Sequence, residues 1–585
     1  MGTIVERLPA LALDKVWGVE MQLSPKIRVD AYRRKGWWMG KSVDQVFRES
    51  LSTKPAGPAL IDAPNRQTLT GTPQQVIGWD EIEGRVNGLV AAMQRLGVGR
   101  DDIVVTQLPN VVEGVLFFLA CARLGAILSP VALAYRGHEL RQILPNLNPK
   151  IFVTIPTFHG HDHARAIVDL NAGGLPTGAI ICLGDDAPDG AHPLGPLLAE
   201  IGSDAPDVLL DPAADGADIL TLCWTSGTEA QPKGVPRHHD HWTVNGEAMV
   251  EAAGLKPGDR ILNPFPLINI ASFGGMVMPW LMMAGCLVQH HPFDLPTFLD
   301  QLQREKIAYT VAPPAVLTML LKNTDFMNNA DLSALRCLGS GSAPLAPWMV
   351  KEWQDRFGVT VMNVFGSNEG CSLFSTGAMI PDPEHRARFF PRFGAEGINW
   401  GAGFASKIRT RLVDLGTNTE ITTPGRIGEL RIDGAMTFDG YWQADQLNQH
   451  AFDDRGFFKT GDLFEIASEG DGRFYQFVGR SKEIVIRGGQ NISPAEVDTL
   501  IEGHPAIREA SCVGYPDDRL GERICAVVVL KPGCKLSLQE LCSFLKQADV
   551  AVYKLPERMK IVEALPRNAL GKVLRRELAP IAIGS

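Results

Sequence analysis

Paired cysteines are missing from this 585-residue chain. Its ten cysteines (Cys121, Cys182, Cys223, Cys286, Cys337, Cys371, Cys512, Cys525, Cys534 and Cys542) are scattered, and no Cys-x-x-Cys occurs. That argues against a disulfide framework and for a reducing, cytoplasmic compartment. Long hydrophobic runs are missing too. The longest, Phe273 to Val288, covers 16 residues and is interrupted by Pro279, short of the ~20 that a membrane-crossing helix needs. It reads as a buried helix, and no transmembrane segment is expected. The opening MGTIVERLPALALDKVWGVEMQL has early acidic groups and no long apolar core, a poor signal peptide. Positive charge is not in excess: 56 Lys and Arg against 66 Asp and Glu leave a net charge of −10. Phosphate attraction needs a basic surface, so no nucleic acid is expected as a partner. A local basic funnel for a small phosphorylated ligand is still compatible with that balance. No low-complexity tract occurs, nor any repeat with a period of about 20–50 residues.

What is present is an ordinary globular composition, 45% hydrophobic and 21% charged, which excludes wholesale disorder. At about 150 residues per domain, the length allows roughly four domain-sized units or fewer large ones. Residues 1–75 read as a leader with loops. A helix follows from about Trp79 to Leu96, with Val86, Leu89, Val90, Met93 and Leu96 at helical spacing and Gly97 and Gly99 as the stop. Residues 111–125 read as a second helix. Short apolar strands fall at 102–108, 127–131, 151–155, 179–183 and 219–224. Strands alternating with helices predict an α/β sheet covered on both faces.

From about residue 405 the chain is rich in Thr, Ile, Arg and Gly, which predicts a small β subdomain ending in the strand GRFYQFVGR, 472–480. Beyond Arg480 come the strand KEIVIRGG and a helix with Ser493 as N-cap, Pro494 at N1 and Glu496 at N3. The strands EASCVGY and ICAVVVL, the helix SLQELCSFLKQ and the strand PERMKIVEALP complete an α+β unit, 481–585.

Five segments carry chemistry. LTLCWTSGTEAQPKG, 220–234, runs from a buried strand into Thr225, Ser226, Gly227 and Thr228, then Lys233. Hydroxyls and backbone N–H groups around one small volume suit a polyphosphate, and Lys233 adds a mobile positive charge. The spacing is not that of a Walker A loop, and a plain polar turn explains the residues equally well. In VMNVFGSNEG, 361–370, Glu369 follows a strand and a glycine turn. A carboxylate there suits Mg²⁺ beside phosphate, although a solvated glutamate is the simpler explanation. In FFKTGDLF, 457–464, Asp462 is placed to accept from two sugar hydroxyls or to form an Asx-turn. VGRSKEIVIRGGQNISPAEV, 478–497, supplies Arg480, a multidentate donor, and Gly488 and Gly489, which permit close approach. LPRNALGKVLRREL, 565–578, carries Lys572, by itself a solvated tail lysine.

In order and spacing, the five together resemble the AMP-forming acyl- and aryl-CoA ligases, luciferases and peptide-synthetase adenylation domains, over roughly residues 50–580. The resemblance implies an α/β fold: a large N-terminal adenylation domain, 1–480, with two α/β sheets and a β subdomain at about 400–480, then a small mobile α+β domain, 481–585, hinged near Lys482. It implies ATP, Mg²⁺ and coenzyme A as cofactors and co-substrates. Thr225, Ser226, Gly227, Thr228 and Lys233 then correspond to the loop around the ATP phosphates, and Glu369 to the Mg²⁺ carboxylate. Gly341, Ser342 and Ala343, within GSGSAPL, fall on the adenine side. Asp462 and Arg480 correspond to the ribose-hydroxyl contacts. Gly488 and Gly489 line the route of the pantetheine arm. Lys572 corresponds to the lysine that bridges the substrate carboxylate and the α-phosphate.

Two departures stand out. Ala230 takes a position where the loop commonly has glycine, and Asn269, in FPLINIASFGG, stands where such ligases often carry histidine. The implied acid pocket (263–275, 312–316 and 363–371, with Asn269, Gly274, Asn363 and Gly366) is mostly apolar and offers no carboxylate for an amino-acid ammonium group in its first segment. A hydrophobic aliphatic, alicyclic or aromatic carboxylic acid is expected, with a homodimer as the candidate assembly. The alternatives are acyl transfer to a carrier protein and a catalytically inactive nucleotide-binding regulator. The histidine clusters HGHDH, 159–163, and HHDHW, 238–242, have metal-like spacing. A packing or hydrogen-bonding role is the expectation for His239.

Overall fold

The computed structural model describes residues 23–53, 55–202, 206–207, 213–225, 232–323, 327–370, 372–481, 483–487, 490–517, 519–548, 550, 552–567 and 573–584. By backbone contact the chain divides into two compact units. One is Met1–Arg409 with Ile432–Phe458, and the other is Thr410–Arg431 with Lys459–Ser585. The expected boundary at 480 falls inside the second unit.

The first unit is built on two α/β sheets, as expected. The eight-stranded sheet runs Ser372–Ser375, Thr360–Gly366, Cys337–Gly341, Tyr309–Val311, Arg260–Asn263, Cys286–Gln289, Pro58–Ile61 and Val76–Gly78. Its inner neighbours are parallel and its two outer pairs antiparallel. The seven-stranded sheet runs Lys233–His238, Ile219–Thr225, Ile127–Pro130, Ile103–Thr106, Ile151–Thr154, Ala179–Cys182 and His192–Pro193. Parallel strands need covering on both faces, and the continuous apolar runs read in the sequence are that signature. The helix Val112–Leu124 is buried at every residue, as a helix apolar all round must be. The predicted helix at 79–96 forms as Ile82–Arg95.

Two expectations are corrected. Residues 23–75 are not loops. They contain the helices Lys26–Arg34 and Val43–Ser52, the second closed by a reciprocal Ser42–Gln45 capping box, and the strand Pro58–Ile61. The helix Lys26–Arg34 has little apolar periodicity and is held by tertiary contacts. Arg28 is buried and donates to Asp439 at 2.8 Å and to Asp433 at 3.0 Å. The run Phe273–Val288 is not one helix either. It divides into a π-helical turn, Phe273–Val277, a short α-helix, Met278–Met283, and the strand Cys286–Gln289. Ala284 adopts a left-handed φ of 46°. A Cβ on Gly285 would lie 2.0 Å from the Asp259 carbonyl oxygen, so only glycine fits at that close approach. An unbroken apolar run has no period from which to read that break.

In the Thr-, Ile- and Arg-rich region, strands lie in the order Phe474–Arg480, Phe458–Ile466, Ile427–Gly434, Ile408–Val413 and Glu420–Ile421. The C-terminal part forms its own α+β core. Gly521–Leu530 is flanked by Ile507–Asp517 and Val485–Arg487 and pairs in parallel with Arg558–Ile561. The helix Pro494–Glu502 is capped as the sequence predicts, with Ser493 accepting from the Glu496 N–H at 3.3 Å. Val497, Ile501, Leu541 and Leu545 pack on this sheet's core. Among the described residues, no helix is long and apolar enough to cross a membrane.

Candidate active site

The strand Ile219–Thr225 and its antiparallel partner Lys233–His238 are in register so that Thr225 lies opposite Lys233. The ends of the expected phosphate loop are therefore neighbours on one ladder. Ser226, Gly227, Thr228 and Ala230 lie outside the described residues, as do Cys371, Lys482, Gly488, Gly489 and Lys572.

Glu369 follows the strand Thr360–Gly366 in a tight turn completed by Gly370, at φ 82°. A Cβ on Gly370 would stand 1.7 Å from the Met436 carbonyl oxygen, so only glycine lets this turn close on the segment 436–442. That segment holds Glu369 twice: the Phe438 N–H donates to its carbonyl at 2.8 Å, and the Tyr441 hydroxyl donates to Oε1 at 2.8 Å. The same segment reaches the far end of the expected phosphate loop. Lys233 Nζ sits 5.5 Å from the centroid of the Tyr441 ring, and the Trp442 N–H donates to the Gly234 carbonyl at 2.9 Å. The paired Thr225 and Lys233 and the sequence-distant Glu369 are thus brought together through Phe438–Trp442.

The segment carrying Asn269 joins the same turn. The Ile270 N–H donates to Asn368 Oδ1 at 2.9 Å, next to Glu369. Asn269 Oδ1 accepts from the Ser272 N–H at 3.2 Å and caps the short helix Ile270–Ser272. Gly274 is buried beneath the Asn245 carboxamide, and a Cβ there would lie 1.8 Å from Asn245 Oδ1. Asn363 lies in mid-strand, with its Nδ2 donating to the Arg386 and Ala387 carbonyls at 3.3 and 2.9 Å. Gly366 is exposed at the tip of that strand. Gly341 ends the adjacent strand opposite Val364, and Ser342, at a left-handed φ of 68°, and Ala343 are exposed beyond it. In the second unit, Asp462 and Arg480 face each other across the ladder, with Arg480 Nε 3.1 Å from Asp462 Oδ1.

Sequence reasoning missed Tyr441 and Asn368. Tyr441 lies in TFDGYW, which reads as subdomain core. Its only signal is an aromatic pair directly after a glycine.

Glu369 suits a divalent cation. It is 8% exposed, its Oε1 is held by Tyr441, and its Oε2 has no protein partner among the described residues. A single carboxylate beside phosphates is what Mg²⁺ ordinarily takes from a protein. The histidine cluster does not suit one. His238, His241 and Asp439 offer atoms within 4.8 Å of one another. Yet His238 Nδ1 accepts from the His241 N–H at 3.1 Å, and His241 Nδ1 from the His238 N–H at 3.4 Å. Burial pushes both imidazoles well below their ordinary pKa, so they are neutral and carry their hydrogens on Nε2. With Nδ1 engaged and Nε2 protonated, neither ring has a lone pair to give. The pair is a helix cap for His239–Ala253. His239 Nδ1 accepts from the Val43 N–H at 2.9 Å, a hydrogen-bonding role, and burial lowers its pKa to about 4.

A sequence model described as AMP-binding enzyme matches residues 47–442, and one described as AMP-binding enzyme C-terminal domain matches residues 496–572. The indoleacetate–CoA ligase of Aromatoleum aromaticum is 30% identical over 513 residues, 88% of this chain and 94% of that one. The medium-chain fatty-acid–CoA ligase of Escherichia coli is 29% identical over 546 residues, 93% and 91% of the two chains. Among solved structures, ATP-bound MatB from Rhodopseudomonas palustris superposes with a TM-score of 0.74 at 24% identity, covering 92% of this chain and 99% of that one. With the two matched models together spanning most of its length, and a fold shared with that structure, the chain belongs to the AMP-binding enzyme family, the adenylate-forming group that its motifs resemble.

Proposed function

We propose that the protein is an AMP-forming ligase that activates a hydrophobic carboxylic acid with ATP and transfers the acyl group to coenzyme A. The observation that carries this reading is the junction of Lys233, Tyr441 and Glu369, a cation and a carboxylate held beside the end of a hydroxyl-rich loop. The names of its relatives, which include ligases of indoleacetate, medium-chain fatty acids and ferulate, support an apolar acid. The reducing compartment that scattered cysteines suit is the cytoplasm.

In the first half-reaction a carboxylate oxygen attacks the α-phosphorus. The bond to the bridging oxygen breaks, pyrophosphate leaves and an acyl-adenylate forms. Both reactants are anionic, so part of the barrier is repulsion. Mg²⁺ bound at Glu369 would supply charge neutralisation on the phosphates. Lys233 and the loop 225–233 hold the departing β,γ-phosphates, and Lys572 draws the carboxylate onto the α-phosphate. Placing both reactants also removes a large entropic term. Asp462 and Arg480 take the ribose hydroxyls. Gly341, Ser342 and Ala343 take the adenine side, and Asn269, Gly274, Asn363 and Gly366 belong to the acid pocket. In the second half-reaction, rotation of 481–585 about Lys482 withdraws Lys572 and brings Gly488 and Gly489 to the pantetheine arm. The thiolate attacks the carbonyl carbon and AMP leaves.

Pyrophosphate release across a panel of carboxylic acids tests this reading. A hydrophobic acid is expected to give release, and coenzyme A to give a thioester. A carrier protein serving where coenzyme A does not would reassign the acceptor, and no release with any acid would leave a regulator. Asp462→Ala should raise the KM for ATP about tenfold, the worth of a hydrogen bond to a charged group, with the KM for the acid unchanged. Equal changes in both would remove the ribose role.

A further inference from the structure

We propose that Tyr441 is a positioning residue that fixes which oxygen of Glu369 faces the metal and where the Lys233 ammonium rests. The inference builds on the ligase reading above, and the geometry supplies four parts of it.

The first is the hydroxyl. A glutamate carboxylate turns easily about its last torsion, which has a broad, two-fold profile. The Tyr441 hydroxyl, 2.8 Å from Oε1, ties down one oxygen and leaves Oε2 as the one open to a ligand. A partner that orients a metal-binding carboxylate alters the site's affinity without touching the metal. The second is the ring, whose face lies under Lys233 Nζ at 5.5 Å. A cation over an aromatic face is attracted by the ring quadrupole, so the ring biases where the ammonium rests. The third is the footing of the tyrosine itself. Its N–H donates to Asn448 Oδ1 at 2.7 Å, its carbonyl accepts from Asn448 Nδ2 at 2.9 Å, and its ring meets Phe438 edge-on at 4.9 Å. The fourth is the adjacent backbone, since the Phe438 N–H and the Trp442 N–H bind Glu369 and Gly234 on the two sides. One five-residue segment therefore sets the spacing between the loop cation and the metal carboxylate, and the hydroxyl aims the carboxylate.

Calorimetric titration of the whole protein with Mg·ATP, and with ATP in excess EDTA, tests this apart from turnover. Tyr441→Phe keeps the ring and removes only the hydroxyl. It should weaken Mg·ATP binding about tenfold while metal-free ATP changes less than twofold. Tyr441→Leu, which also loses the ring face, should weaken both. Equal weakening of the two ligands by Tyr441→Phe, or no weakening of either, overturns the inference, because a merely structural tyrosine does not discriminate between them. As a second measurement, Glu369→Gln is made in the wild-type and Tyr441→Phe backgrounds. The hydroxyl's effect on Mg·ATP affinity should shrink at least fivefold once the carboxylate is gone, whereas independent effects overturn the inference. Wild-type protein that binds ATP no better with Mg²⁺ than without would instead overturn the metal role of Glu369 on which the inference builds.

Discussion

Lys572→Ala is expected to lower acyl-adenylate formation by about 10²–10³-fold, the usual loss when one aimed cationic or hydrogen-bond donor leaves a reacting oxygen. Thioester formation from supplied acyl-AMP should stay within about twofold. The asymmetry follows from charge. Adenylation brings a carboxylate against a triphosphate, and Lys572 is the proposed cation between them. In thioester formation the carboxylate is already bound to phosphorus as a mixed anhydride, and a thiolate attacks a neutral carbonyl carbon, so that lysine has no carboxylate charge to offset. Pyrophosphate release and thioester appearance, followed separately, decide the matter. Equal loss in both half-reactions would mean that Lys572 supports the fold or the nucleotide site in general, and its bridging role would fall.

The largest expected loss of stability lies away from the chemistry, at Arg66. The residue is 1% exposed, and its guanidinium lies 2.7 Å from Asp62 Oδ2 and 2.6 Å from Glu113 Oε1. Asp62 also accepts the Val112 N–H at 2.8 Å, so the cluster ties the turn after Pro58–Ile61 to the start of the helix Val112–Leu124. Arg66→Met would leave two buried carboxylates facing each other without a cation. Removing one partner of such a group costs about 3–5 kcal/mol. The pH dependence identifies the cause. Burial pushes the Asp62 carboxyl up to about 6, and Arg66, ahead of the Val112 and Gln75 N–H groups, restrains it from going further. A carboxyl raised on folding contributes stability that is present below its ordinary value near 4. That contribution is lost as pH rises through the folded value. Without Arg66 the rise is larger, so the gap between variant and wild type should be widest above pH 7 and shrink toward pH 5. Thermal or denaturant melts of the whole chain across that range measure it. A gap that does not change with pH would assign the loss to packing alone.

Much of the fold was legible because it rests on local rules. The parallel strands announced themselves as short unbroken apolar runs, since both of their faces must be covered. Ser493 with Pro494 and Glu496 predicted a helix start that the backbone confirms, because the orphaned N–H groups of a first turn need an oxygen close in sequence. Where local rules were silent, the reading failed. Lys26–Arg34 is helical through Arg28 and two aspartates more than 400 residues away. The chain leaves the helix after Met283 at Ala284, which is left-handed, and Gly285 then passes too close to the Asp259 carbonyl for any side chain.

The candidate site divides the same way. Thr225, Lys233, Glu369, Asp462 and Arg480 could be singled out from the chain as hydroxyls, cations and carboxylates at strand ends and turns, and Lys572 only through the resemblance to the adenylate-forming enzymes. Tyr441 could not, because nothing beside it in sequence marks its hydroxyl as a partner for Glu369.

The amino-acid sequence by itself determined the family and the alternation that builds the parallel sheets, and it supplied the side chains proposed to react. Only the tertiary structure decided that Asn269 caps a helical turn, that His238 and His241 cap a helix through their Nδ1 atoms, and that Phe438–Trp442 joins Lys233 to Glu369. The physical reason is range: propensity, capping and strand patterning act over a few residues. A hydrogen bond between residues 369 and 441 exists only once Gly370, with no Cβ, has let the chain close on Met436.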